Sequence, residues 1–67
     1  MRCIINGETI ELPHHVRTVA QLLRHFHIHE KIAIVEINMD IVPKDNYEQR
    51  AIADGDRIEI VHFVGGG

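Results

Sequence analysis

Apolar and polar residues alternate on both sides of Asn6-Gly7. Cys3 and Ile5 lie before the pair, Ile10 and Leu12 after it. Asn-Gly between two such runs signals a hairpin, because a type I′ turn needs positive φ at both central positions. A two-residue loop sets Ile5 opposite Glu8, Ile4 opposite Thr9 and Cys3 opposite Ile10. Cys3, Ile5, Ile10 and Leu12 then share one face, and Arg2, Ile4, Thr9 and Glu11 the other. Pro13 closes the second strand. The period then changes. Thr18-Val19-Ala20-Gln21 has the capping-box form, with Thr18 as N-cap and Gln21 reaching back. Val19, Leu22, Leu23 and Phe26 recur at helical spacing, while Ala20, Gln21, Arg24 and His25 take the other sides. The helix has no glycine stop and should fade near His27-Ile28-His29.

Ile32-Ala33-Ile34-Val35-Glu36-Ile37 is β-branched, mostly apolar and too short for an ordinary helix. It reads as a central, well-buried strand. Asn38-Met39-Asp40 turns into a short strand at Ile41-Val42, stopped by Pro43. Asp45-Asn46-Tyr47-Glu48 suits a helical turn with Tyr47 inward. Asp54-Gly55-Asp56 is a tight turn into the last strand, which puts Ile58 and Ile60 inward and Val61 and Phe63 outward. The order β-β-α-β-β-β, with one helix crossing a mixed sheet, predicts an α+β fold of the β-grasp, ubiquitin-like kind. The first and last strands are central neighbours in such a roll. Ile4, Val61 and Phe63 are then expected to form one exposed apolar patch, a candidate docking surface.

Residues 1–63 are read as the folded domain and residues 64–67 as a flexible C-terminal tail. Glycine is the least restrained residue, so Gly65-Gly66-Gly67 adds nothing obvious to a fold. It does make a thin arm that can thread a narrow channel and place the Gly67 carboxylate beside a partner's reactive groups. The competing reading is a frayed chain end.

Sixty-seven residues allow one small domain. The single cysteine excludes an internal disulfide and fits a reducing compartment. No apolar stretch is long enough for a signal peptide or a membrane span, so a soluble cytoplasmic protein is expected. The net charge of −3 and the scattered basic residues argue against nucleic-acid binding. The six histidines match no standard ligand spacing, so no metal site is expected. Cys3 lies on an inward face and reads as a core residue rather than a nucleophile. The chain contains no serine, and its carboxylates form no evident acid–base pair. No catalytic residues are expected, and the chain reads as a substrate or carrier for enzymes.

The run Asp54-Gly55-Asp56-Arg57-Ile58-Glu59-Ile60-Val61-His62-Phe63-Val64-Gly65-Gly66-Gly67 closely resembles the C-terminal signature of the ThiS family, small sulfur-carrier proteins of thiamine biosynthesis. Ile5-Asn6-Gly7 and Asn38-Met39-Asp40-Ile41-Val42-Pro43-Lys44 resemble that family too, so the likeness spans the chain. Met39 is a departure, since many relatives have glycine there. The resemblance implies that a ThiF-like enzyme uses ATP to adenylate the Gly67 carboxylate, the chain itself binding no cofactor. Sulfur from a cysteine-desulfurase persulfide then leaves a thiocarboxylate on Gly67. A ThiG-like thiazole synthase takes that sulfur into a thiazole ring built from deoxyxylulose phosphate and dehydroglycine. Val64, Gly65 and Gly66 would thread into the partner, and Ile4, Val61 and Phe63 would dock it. A carrier for molybdopterin or another sulfur-containing metabolite stays open, as does an interaction module with an idle tail.

Overall fold

Asn6 and Gly7 take φ of 49° and 84° in the computed structural model, which describes residues 1–62. Their turn joins β1 (Arg2–Ile5) to β2 (Glu8–Glu11) in antiparallel pairing. Ile5 faces Glu8, Ile4 faces Thr9 and Cys3 faces Ile10, the expected register. The helix α1 runs Val19–His25 and opens on the expected capping box. Gln21 N–H donates to Thr18 Oγ1 at 3.2 Å, and Thr18 N–H donates to Gln21 Oε1 at 3.0 Å.

Beyond the C-cap residue Phe26, His27 turns the chain out of the helix with φ of 60°. His27 N–H donates to the Arg24 carbonyl and Ile28 N–H to the Leu23 carbonyl, so the last turn closes in a Schellman arrangement without glycine. Val19, Leu22 and Leu23 are buried as expected, whereas Phe26 is only partly buried. Ala20 was expected on another side and is instead fully buried. Residues 43–52 wrap that side: Ala20 N–H donates to the Tyr47 carbonyl and Val19 N–H to the Arg50 carbonyl. Val16 and Ile52, not singled out by periodicity, complete this part of the core.

β3 (Ala33–Ile37) and the two-residue β4 (Asp40–Ile41) form a second hairpin, and β5 (Arg57–His62) closes the sheet. The strand order is β2-β1-β5-β3-β4, with β1 and β5 parallel and central. This is a β-grasp roll, a mixed sheet packed on one helix. The expectation that β3 is buried throughout is corrected. Ala33, Val35 and Ile37 are fully buried, but Ile34 is 39% exposed, because the helix covers only one face of the sheet.

The β3–β4 turn keeps type I′ geometry although its second residue is methionine, with φ of 51° at Asn38 and 73° at Met39. Met39 is 87% exposed, so no packing offsets its left-handed backbone. Met39→Gly should therefore stabilise the fold by about 1 kcal/mol, seen as a higher urea midpoint at unchanged m-value.

Two side chains complete the frame. Tyr47 follows a short 3-10 turn (Lys44–Asn46) and is buried as expected, its hydroxyl donating to the Ala33 carbonyl at 2.8 Å. Asn6 acts as a substitute peptide group where β1 ends. Ile60 N–H donates to Asn6 Oδ1 at 2.7 Å, and Asn6 Nδ2 donates to the Ile60 carbonyl at 3.1 Å. The Asn side chain thus extends the pairing between β1 and β5 beyond Ile5↔Ile58. Phe63 and the tail at 64–67 lie outside the described residues.

Candidate functional site

The sequence places its chemistry after β5, so the site starts from what holds that strand. Asp54-Gly55-Asp56 fixes its beginning. Gly55 has φ of 87°, and the two carboxylates serve the turn. Asp54 Oδ1 accepts from Arg2 N–H at 2.7 Å, and Asp56 Oδ2 accepts from Ala53 N–H at 2.8 Å. Asp56 Oδ1 accepts from Asn38 Nδ2 at 3.1 Å, tying the same turn to the β3–β4 hairpin. From there β5 runs between β1 and β3 up to His62. Ile58 and Ile60 face the core, as the alternation predicts.

The outward face differs from the expected patch in one respect. Val61 is 56% exposed and stands opposite Ile34 on β3. Ile4 is half-buried and stands beside Arg57, four positions earlier on β5. At strand rise that separates Ile4 from Val61 by about 13 Å along the strand. Ile4 and Val61 are therefore not one patch, and the apolar neighbour of Val61 is Ile34. Reading Ile32–Ile37 as a central, well-buried strand hid Ile34; strict alternation would have revealed it. Phe63, Val64, Gly65, Gly66 and Gly67 belong to this site by sequence and lie outside the described residues. On the opposite face, the end of β5 opens onto a groove of about 370 Å³ bounded by Ile10, Phe26, Ile28 and His62.

Elsewhere the side chains that could carry chemistry do not converge. His15 and His25 meet edge to face at 6.2 Å, and His25 does the same with Phe26 at 5.0 Å. Among the described residues no group of three or more His, Cys, Asp or Glu side chains is placed to hold a metal ion. Cys3 is fully buried, with Sγ 3.4 Å from the Ala53 carbonyl. Burial pushes its thiol pKa up, and the negative charge of Asp56 adds to this, so Cys3 stays a neutral core group at neutral pH. No helix among the described residues is long and apolar enough to cross a membrane.

The model of the ThiS family matches residues 2–67. This chain belongs to the ThiS family. The sulfur carrier protein ThiS of Bacillus subtilis strain 168 is 41% identical over 63 residues, covering 94% of this chain and 96% of that one. A thiazole synthase of Paramagnetospirillum magneticum is 43% identical over all 67 residues, which make up 20% of that longer protein. The crystal structure of a thiamine biosynthesis protein, ThiS, from Geobacter metallireducens superposes with a TM-score of 0.82 at 25% identity, over 100% of both chains. The fold and size are those of a small carrier rather than a catalyst, in line with these relatives.

Proposed function

We propose that this chain carries sulfur for thiazole formation in thiamine biosynthesis, and that the Gly67 carboxylate is its working group. The observation that carries the reading is the end-to-end likeness to a sulfur carrier, in a chain that closes on Gly65-Gly66-Gly67. A carboxylate is a poor electrophile. In this mechanism an ATP-dependent adenylating enzyme joins a Gly67 carboxylate oxygen to the α-phosphorus, and pyrophosphate leaves. The resulting acyl-adenylate has a good leaving group. A persulfide sulfur from a cysteine desulfurase attacks its carbonyl carbon and AMP departs. A thiol then reduces the acyl disulfide that remains, which leaves a thiocarboxylate on Gly67. Thiazole synthase receives the sulfur from there.

The chain supplies aim rather than reactivity. β5 is held by β1 and Asn6 on one side as far as Ile60 and by β3 on the other as far as His62, so the sheet fixes the strand from which the tail departs. A residue with a Cβ at 65 or 66 would obstruct enzymes that close around the arm. Co-expression with the adenylating enzyme and a cysteine desulfurase should give protein whose C-terminal peptide has one oxygen replaced by sulfur. Intact-mass and peptide-mass measurements read this directly. A C-terminal peptide that stays unmodified under those conditions would overturn the proposal.

A further inference from the structure

The core is left open at one end. Among the described residues, Met1, Ile10, Phe26 and Ile28 are the apolar side chains that pack on the buried cluster while staying only partly covered. Three of these four, Ile10, Phe26 and Ile28, stand together around the groove at the end of β5. Half-covered apolar side chains lining one concavity make a seat for a further apolar group. Glu8, His27 and His62 on its rim are exposed, so filling the apolar floor leaves them in water. β5 contributes Ile60 and His62 to the lining, two alternate positions on its inner side. Continued alternation puts residue 64 on that side next, with Phe63 pointing away.

We propose that this groove is a binding site for the chain's own Val64, whose side chain seats against Phe26 and Ile28. Sequence and position select this occupant. Beyond His62, Val64 is the apolar residue that the alternation assigns to the groove side, and only glycines follow it. A segment tethered two residues from the groove is present at an effective concentration that a separate molecule does not match. Glycine at 65 permits the bend that a seated Val64 requires. Burying one valine and ordering the residues that carry it have free energies of similar size and opposite sign. The seat is therefore filled part of the time and yields to a partner that grips the tail. In the carrier reading, the seated fraction lowers the apparent affinity of every enzyme that takes the tail, which makes the groove a gate on capture. The seat itself does not depend on that reading.

NMR of the methyl-labelled full chain tests the assignment. Cross-peaks should link the Val64 methyls to the Phe26 ring and to the Ile28 methyls, and the ring should shift the Val64 methyls upfield. Val64→Ser should move the Ile10 and Ile28 methyl resonances, whereas Val64→Ile should keep them near their wild-type positions. Thermal unfolding of both variants checks that the body is intact. Val64 methyls at the shifts of a free peptide of residues 63–67, with no cross-peak to Phe26, would overturn the proposal. Cross-peaks that fade on dilution would overturn it too, by giving the groove to a second copy of the chain. Neither failure touches the chemistry proposed for Gly67, which the mass of the C-terminal peptide reads separately.

Discussion

A chain shortened by Gly66 and Gly67 should fold as the full chain does and deliver no sulfur. Among the described residues the buried cluster ends at Ile60, and Gly66 and Gly67 carry no side chain to pack. Removing the last two residues should therefore change stability by no more than about 0.5 kcal/mol. The effect on chemistry is of another order. The new carboxylate would sit short of its former position by about 7 Å of extended chain. A misplacement of only 1 Å can cost about a hundredfold in rate, so adenylation should fall below detection. ATP–pyrophosphate exchange with the adenylating enzyme measures this, alongside thermal unfolding as the check on folding. Exchange at the full-length rate would refute a terminal carboxylate as the reacting group.

Tyr47→Ala should remove most of the stability of the domain. Its ring is buried against the helix side of the sheet, and truncations of this size cost about 3–5 kcal/mol. A domain this small has only roughly 3–10 kcal/mol in total. Tyr47→Phe isolates the polar part. It leaves the Ala33 carbonyl without the hydroxyl that donates to it at 2.8 Å, at a cost of about 1–2 kcal/mol. Burial also pushes the phenol's pKa up from the 10.0 of a free tyrosine. The unfolded chain thus gives up this proton at lower pH than the folded one. The contribution is complete below the free value and is lost as pH rises through the folded value. Cys3 has the same sign and begins lower, from the 9.0 of a free thiol. Urea midpoints should decline from about pH 9 upward, and the Tyr47→Phe variant should decline less. A wild-type midpoint that is flat across this range would contradict the assignment.

Much of this molecule can be read from spacing alone. Asn6-Gly7 dictates a turn type, and that turn dictates the β1–β2 register residue by residue. The capping box at Thr18 and the alternation at Ile58 and Ile60 are equally local rules, obeyed as written. What escaped depends on packing between distant segments. Ala20 is buried because residues 43–52 wrap the helix, which no helical wheel reports. Ile34 is exposed because one helix cannot cover both faces of a five-stranded sheet. The site divides along the same line. The proposed tail chemistry rests on three terminal glycines outside the described residues, whereas the partner of Val61 is decided by the β3–β5 register. Met39 shows a third case: the turn's geometry is imposed by the hairpin and survives a residue poorly suited to it.

The placement of β5 between two neighbours has a mechanical consequence. A partner that grips the last residues and withdraws them through a channel pulls along the axis of this strand. Its hydrogen bonds to β1, Asn6 and β3 lie across that axis, so the load is shared among them in shear instead of breaking them one after another. The body can be tugged by its tether without unzipping, a toughness that the proposed cycle of loading and release would call on.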